Sequence, residues 1–371
     1  MIQINFNLSG SKQRIIDNPP ILLNDDGVQK YTMNLDADNP YRGNFQLPDK
    51  IQANGWNLTW LDNLIRPWLS TSPTHEPLLS GWIGEAGQLN PPIPVLDYPI
   101  ALEQPQVSGI DFITSSGRFL FKGATNYLAL ARHLIGQEPA SYAGANVDCV
   151  LLTAHNITSQ QGLPDLRPEN YSGYFNGLHD LGIWLNERGR LLYAICLADM
   201  QFISSDYNWM SNFIRDCANA MQGVVGFFSI GNEFWNNGFD PNKLSRPSIN
   251  IPCCHGSIAD EAGSNGYDGM SHWDFLDIHI RRDYPKMLAH CQVAEPQLTY
   301  QKPIISGEPF KANEQPEFNK SYTDPRIFFQ GGRTMSAYNG GVFHSFCGVY
   351  SIPLSPVQDA CRQAFFLGCV E

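Results

Sequence analysis

The stretch LLYAICLADMQFISSDYNWMSNFIRDCANAMQGVVGFFSIGNE, residues 191–233, contains a strand, a helix and a second strand in that order. Leu191–Ala198 and Val224–Ile230 are continuous apolar runs, as expected of strands that are buried on both faces. Between them, Asn208–Met221 carries its apolar residues at helical spacing. Two buried strands joined by an amphipathic helix predict a β-α-β unit, in which the strands lie parallel in one sheet.

The same alternation continues on both sides of this unit. It predicts three more helices, at Tyr127–Ile135, Tyr171–Arg188 and Ser355–Leu367, whereas Asn237–Arg246 is too short and polar to predict one. Eight strands and residues 107–371 match a (β/α)8 TIM barrel, which typically needs about 250 residues. The fold class predicted is therefore α/β. The six further strands are Gly117–Asn126 with its initial turn, Val147–His155, Ile249–Cys254, Phe275–Ile280, Pro303–Ser306 and Gly341–Phe346.

The first 106 residues have a different texture, rich in turn formers and short alternating segments such as Gln29–Leu35. We expect a small, mostly β or irregular region here, ending in a proline-rich extended connector at residues 90–106. Four tryptophans are concentrated in it. Packing of this region onto the barrel is favoured over a sugar-stacking platform as the role of these tryptophans. The four are Trp56, Trp60, Trp68 and Trp82.

Charge limits the range of partners. The 371 residues carry a formal net charge of -12, and such an acidic surface disfavours nucleic acid and anionic membranes. No run reaches the roughly 18 apolar residues that cross a bilayer, and the first ten residues lack the pattern of a signal peptide. A neutral carbohydrate is the expected partner, and localisation and oligomeric state are left undetermined.

Nine cysteines, an odd number, all follow residue 148. Most lie in apolar strands or helical patterns, which favours buried free thiols over a disulfide framework. Cys253, Cys254 and His255 are adjacent, but neighbouring strand residues point to opposite faces and no second cluster has ligand spacing. We therefore expect no metal and no cofactor.

Two carboxylates stand directly after predicted strands. The fourth strand runs into Gly231-Asn-Glu and the seventh into Ser306-Gly-Glu, which places Glu233 and Glu308 at the strand ends. In (β/α)8 barrels the carboxyl ends of the strands form the functional face. Glycoside hydrolysis needs a pair of carboxyl groups across the scissile bond. The order of these dipeptides, with apolar strands before each, makes coincidence the weaker reading.

An apolar strand ending in Asn-Glu and a later one ending in Gly-Glu resemble the clan of retaining (β/α)8 glycosidases that includes the family-five cellulases and mannanases. This resemblance covers residues 107–371 and implies that Glu233 is the acid/base and Glu308 the nucleophile. It implies that Asn232 holds the substrate 2-hydroxyl. Phe119–Asn126 resembles the clan's first strand. Trp273–His279 resembles its sixth, which makes His279 a cleft residue.

The chain departs from the clan pattern in three places. After the sixth strand, the usual compact His-x-Tyr is replaced by His279-Ile-Arg-Arg-Asp-Tyr. The second strand ends Thr153-Ala-His-Asn without the usual arginine, and Arg281 is the candidate to replace it, with Tyr284 or His155 completing the site. The eighth strand ends Phe343-His-Ser-Phe without the usual tryptophan, which makes His344 a candidate for substrate contact.

Several polar residues also have plain structural interpretations. Taken singly, each histidine favours a hydrogen-bonded scaffold role, and His279 is the strongest candidate for more. Trp235 is equally a sugar platform or a cap on the barrel rim. Asp199 and Asp277 favour helix capping and strand-end solvation over acid catalysis.

The predicted function is a retaining glycoside hydrolase that cleaves β-glycosidic bonds of an oligo- or polysaccharide through a covalent intermediate. One alternative is a glycan-binding barrel module with weak or lost catalysis in a larger assembly, and another is transglycosylation through the same intermediate. Fold alone does not choose among these. The sugar, its linkage and endo or exo action are not determined.

Overall fold

The computed structural model describes residues 102–233, 238–259, 272–280, 300–314 and 321–369, together with five short strands among the first hundred residues. The chain divides into two compact units, residues 1–95 and 96–371. The predicted boundary near residue 106 stays a prediction.

The first unit contains two small sheets. One has three strands, of which the first two are parallel and the last two antiparallel. The other is a two-stranded antiparallel pair. The side chains of the four tryptophans lie outside the described residues. The five strands are β1 (Asn7–Leu8), β2 (Thr32–Leu35), β3 (Gly43–Phe45), β4 (Gln52–Ala53) and β5 (Trp56–Asn57).

The second unit begins with an antiparallel meander of three short strands: β6 (Gln106–Ser108), β7 (Asp111–Thr114) and β8 (Gly117–Arg118). Phe112 of β7 is fully buried and packs edge-on against Phe227 and Phe275. Both partners lie on barrel strands, near their amino ends. The meander therefore covers that end of the barrel, opposite the end where function is expected.

Eight parallel strands follow, with neighbours in chain order paired from the first to the seventh. The eighth pairs with the first, and a parallel bridge between Ser306 and Gly341 joins the seventh to the eighth. The sheet is thus closed into a barrel, and the predicted fold class is confirmed. The strands are β9 (Phe121–Thr125), β10 (Val147–Leu151), β11 (Leu191–Leu197), β12 (Gly226–Gly231), β13 (Cys253–Ala259), β14 (Phe275–His279), β15 (Ile304–Ile305) and β18 (Gly340–Ser345).

Two details of the strands differ from the sequence analysis. The fifth strand was expected at Ile249–Cys254 but begins at Cys253, after a proline whose nitrogen carries no hydrogen for the ladder. In addition, β16 (Lys311–Ala312) and β17 (Ser321–Tyr322) extend the sheet beyond β18. These two short strands follow Glu308 in the chain.

The helices alternate with the strands as predicted, but four were not anticipated: Asn156–Gln160, Met200–Ile203, Pro325–Ser336 and Phe346–Val349. At the start of Pro325–Ser336, Asp324 accepts a hydrogen bond from the Arg326 amide and Pro325 occupies the first turn, which favours helix initiation. The helices are α1 (Ala129–Leu134), α2 (Asn156–Gln160), α3 (Tyr174–Asn186), α4 (Met200–Ile203), α5 (Tyr207–Ala220), α6 (Pro325–Ser336), α7 (Phe346–Val349) and α8 (Pro356–Gly368). Among the described residues, none of these helices is long and apolar enough to cross a membrane.

The cysteines that the structure describes are eight buried free thiols. Burial raises the pKa of each thiol for which a shift is resolved, for example that of Cys254 to about 12. Such thiols stay protonated and unreactive near neutral pH. Cys291 lies outside the described residues.

Candidate active site

The two predicted catalytic carboxylates meet at the carboxyl end of the barrel. Glu233 follows β12 by two residues, and Glu308 follows β15 by three. His279 is the last residue of β14, the strand between β13 and β15 in the sheet. One oxygen of Glu233, one oxygen of Glu308 and a ring nitrogen of His279 all lie within 4.8 Å of one another. The barrel thus brings together three residues that are separated by up to 75 positions in the chain.

His279 lies between the carboxylates. Its Nδ1 is 2.6 Å from Glu233 Oε1 and 3.6 Å from Glu308 Oε2. The imidazole is buried, whereas the Glu233 side chain is 26% exposed and that of Glu308 is 14% exposed. Glu233 is therefore the more accessible to solvent of the pair. The three donor atoms could also bind a divalent cation, because imidazole nitrogen and carboxylate oxygen suit zinc and similar ions.

Glu308 is surrounded by groups from the first and last strands of the barrel. The Tyr127 hydroxyl donates a hydrogen bond to Glu308 Oε2 at 3.3 Å, and His344 Nε2 lies 3.7 Å from Oε1. The other ring nitrogen of His344 is 2.9 Å from Thr125 Oγ1, which fixes the orientation of the imidazole. The sequence pattern predicts Tyr127 only as the first residue of a helix and gives no signal of its contact with Glu308.

The backbone at Glu233 is unusual. Its φ is +46°, in the left-handed region that residues other than glycine rarely occupy. The preceding residue, Asn232, donates its amide to the Leu197 carbonyl of β11 at 2.9 Å, so bonding to the sheet continues up to the residue before Glu233. Strain of this kind is characteristic of functional sites, where the surrounding structure maintains it.

His155 lies at the same end of the barrel, just beyond β10, but serves a different cluster. Its Nδ1 is 2.8 Å from Asp165 Oδ1, and its ring stacks on Phe202 with the centroids 4.7 Å apart. The Asp199 carboxylate accepts the amides of His155 and Asn156, where α2 begins. Asp199 thus binds amides at the start of one helix, although its side chain makes no capping hydrogen bond in Met200–Ile203, the helix that it precedes. Phe202, with 51% of its surface exposed, is an aromatic face that the sequence analysis missed.

Asp277 is not solvated at a strand end, as the sequence analysis expected. It is 1% exposed and lies inside the barrel. Alternate residues of a strand face the same side, so Asp277 stands below His279 on the inward face of β14. The expectation was wrong because sequence alone does not show how deep in the barrel a strand residue lies.

Other predicted residues can be placed briefly. Burial lowers the pKa of His255 to about 4, and its ring packs edge-on against Trp273. Cys254 Sγ faces the hydroxyl of Tyr193 at 3.3 Å. Trp235, Arg281 and Tyr284 lie outside the described residues, and their roles stay predictions.

No protein-family model matches the chain, and no curated protein matches it. Solved structures similar to it include glycoside hydrolases. A Bacteroides vulgatus protein assigned to the glycoside hydrolases has a TM-score of 0.48 and 12% identity, over 67% of this chain and 55% of that chain. A β-1,4-D-mannanase from Cryptopygus antarcticus has a TM-score of 0.46 and 12% identity, over 71% and 94% of the two chains. A double mutant of an endo-β-1,4-mannanase from Cellulomonas fimi has a TM-score of 0.44 and 11% identity, over 66% and 70%. The chain spans about half the length of the Bacteroides protein.

Proposed function

We propose that the protein is a retaining glycoside hydrolase that cleaves β-glycosidic bonds of an oligo- or polysaccharide. The observation that carries this proposal is the pair Glu233 and Glu308, whose oxygens approach within 4.8 Å at the mouth of the barrel. Carboxyl groups of retaining enzymes lie about 5–5.5 Å apart, whereas an inverting pair is about 6.5–9.5 Å apart to admit a water molecule. The short separation supports direct attack by one carboxylate.

In the first step, Glu308 attacks the anomeric carbon and forms an ester bond to the sugar. Glu233 donates its proton to the glycosidic oxygen, so that the bond to the leaving group breaks and a neutral alcohol departs. Tyr127 and His344 stand beside the two oxygens of Glu308. A donor at Tyr127 favours the ionised nucleophile before attack.

In the second step, Glu233 acts as the base. It takes a proton from water, the water oxygen attacks the anomeric carbon, and the Glu308 carboxylate is released. His279 Nδ1, 2.6 Å from Glu233 Oε1, holds this carboxyl group in one orientation through both steps. The same nitrogen lies 3.6 Å from Glu308 Oε2, so the imidazole stands next to both carboxyl groups.

The substrate extends beyond one sugar in this proposal. Phe202 presents an exposed ring at the same end of the barrel, made rigid by the stacked His155. The C–H face of a pyranose packs well on such an aromatic surface. Following the resemblance, Asn232 binds the 2-hydroxyl of the sugar that undergoes cleavage. Two separate contact regions favour an oligosaccharide over a small glycoside.

The test is hydrolysis of aryl β-glycosides and β-linked polysaccharides by the wild type, Glu233→Gln and Glu308→Gln, with product anomers followed by NMR. We expect retention of configuration, loss of turnover in Glu308→Gln, and activity that persists after EDTA treatment. Glu169→Gln is a matched control, because Glu169 hydrogen-bonds Trp209 of α5, on the outer layer of helices. Inversion of the anomer would exclude Glu308 as the nucleophile. Glycan binding without turnover would favour a binding module, and loss of activity with EDTA would favour a metal at the three donor atoms.

A further inference from the structure

Asp277 uses both of its carboxyl oxygens inside the barrel. Oδ1 accepts the amide of Gly307 at 2.7 Å, and Oδ2 accepts the hydroxyl of Tyr193 at 2.6 Å. The three residues come from β14, from the end of β15 and from β11. A single side chain thus connects strands on different sides of the barrel.

Placing a carboxyl group here is costly. Burial raises the pKa of Asp277, while the neighbouring His279 and the hydrogen bonds from Tyr193 and Gly307 lower it. A buried carboxyl group is retained in a fold when its oxygens are satisfied by well-placed donors. Replacing a buried hydrogen-bonded group and its partners by apolar groups of the same shape is often nearly neutral for stability, so stability alone does not call for an acid at this position.

The approach of Asp277 to the backbone requires glycine at position 307. A Cβ added to Gly307 would collide with the carboxyl group of Asp277. Because Gly307 has no side chain, the Asp277 carboxylate can approach the main chain closely enough to accept the Gly307 amide. The residue that follows this glycine is Glu308.

The arrangement acts on both halves of the candidate site. The amide of Gly307 fixes the chain immediately before Glu308, and Asp277 shares its inward strand face with His279, which contacts Glu233. A shift of about 1 Å in a reacting group can cost about 100-fold in rate. The backbone before the nucleophile is therefore a place where a fixed hydrogen bond has large effects.

We propose that Asp277, held by Tyr193, is a positioning residue that sets the place of Glu308 through the Gly307 amide. The proposal rests on the proposed glycosidase function for its kinetic consequence, but the hydrogen bond itself can be measured without turnover. Asp277 touches neither substrate nor the reacting atoms in this scheme. Its contribution passes through the backbone.

The experiment compares Asp277→Ala with Asp277→Asn. The asparagine keeps an oxygen for the Gly307 amide, and its amide group can donate to the Tyr193 oxygen, because that hydroxyl can turn to Cys254 Sγ at 3.3 Å. We expect Asp277→Asn to keep most of the wild-type kcat/KM and Asp277→Ala to lose about 100-fold. Asp274→Asn is the matched control, because Asp274 also accepts a backbone amide, that of Cys253, at the opposite end of the strand. Unchanged activity is expected there.

The readout that a purely structural role would not produce is the amide proton of Gly307, observed in protein labelled with ¹⁵N-glycine. We expect a resonance shifted downfield by the carboxylate in the wild type, retained in large part in Asp277→Asn and lost in Asp277→Ala, with all three folded by circular dichroism. Wild-type kcat/KM in a folded Asp277→Ala would overturn the proposal. Equal damage in both variants would also overturn it, because charge and not the hydrogen bond would then matter. A wild type that hydrolyses no glycoside would refute the proposed function, while the amide resonance would still decide whether Asp277 holds Gly307.

Discussion

Replacement of Glu233 by glutamine gives the sharpest test of the carboxylate pair. The two carboxylate oxygens lie within 4.8 Å of each other. With an effective dielectric constant of about 20, two negative charges at that limit repel by about 3.5 kcal/mol. The state in which both groups are ionised is therefore disfavoured, and the acid step requires one proton on the pair. In the proposed mechanism this proton is on Glu233, the more exposed member, from which it passes to the leaving oxygen.

The glutamine variant keeps the size of the side chain but has no proton to give. General acid catalysis contributes about 10²–10⁴-fold in rate, so we expect a loss in that range for substrates with poor leaving groups, such as sugars. Dinitrophenyl glycosides need little protonation, and their first step should be almost unaffected. The alkaline limb of the kcat/KM profile should disappear in the variant, because the amide does not titrate.

The assay is a leaving-group series of aryl β-glycosides, with kcat/KM plotted against the basicity of the departing phenol for the wild type and the variant. A steep dependence in Glu233→Gln, together with a shallow one in the wild type, is the expected result. An equal loss on every substrate would refute the reasoning, because it would show that Glu233 does not protonate the leaving group.

The remaining predictions concern the exposed ring of Phe202, the buried ion pair Arg190–Asp148 and the buried His255. Phe202→Ala should raise KM for oligosaccharides by about 3- to 10-fold, the value of one aromatic contact, and leave kcat/KM for small aryl glycosides unchanged. Initial-rate kinetics on both substrate types measure this, and equal effects on both would contradict the prediction. Arg190→Met should lower the free energy of unfolding by about 3–5 kcal/mol, because it leaves Asp148 buried without its ion-pair partner; urea denaturation measures the loss, which the additional change Asp148→Asn should partly restore. Burial lowers the pKa of His255 to about 4, below its ordinary value of about 6.5, so the unfolded chain binds a proton that the folded chain does not. The free energy of unfolding is therefore unaffected by this group above about pH 6.5 and falls as the pH drops toward 4, by up to about 3 kcal/mol. His255→Gln should flatten this pH dependence in denaturation curves taken between about pH 4 and 6.5, and an unchanged dependence would show that other groups cause it.

The strands of the barrel were predictable because each is buried on both faces. Leu191–Leu197 and Gly226–Gly231 appear as unbroken apolar runs, and their alternation with amphipathic helices leaves few topologies open. The helix Pro325–Ser336 was not predicted, since Gly331 and Gly332 in its middle weaken the helical signal. Both glycines are explained by packing, because a Cβ would collide with Phe310 at one and with the Phe365 carbonyl at the other.

The candidate site was predictable in part. Glu233 and Glu308 stand out because each follows an apolar strand directly, and the carboxyl ends of parallel strands converge in a barrel. Tyr127 carried no such signal, because a tyrosine at a strand-to-helix junction is usually part of the core. Phe202 was hidden for the opposite reason, since its exposure depends on the short helix Met200–Ile203 and the ring of His155.

The sequence by itself determined the barrel, the direction of its strands and the two carboxylates at their ends, because local patterns of apolar residues indicate which segments are buried strands and in which order they follow. Only the tertiary structure decided distances: that Glu233, His279 and Glu308 meet, that Tyr127 and His344 stand beside Glu308, and that Asp277 reaches the Gly307 amide. The physical reason is that these contacts join strands far apart in the chain, and their geometry follows from the closure of the sheet. No local pattern of residues encodes the depth of a side chain within a closed barrel.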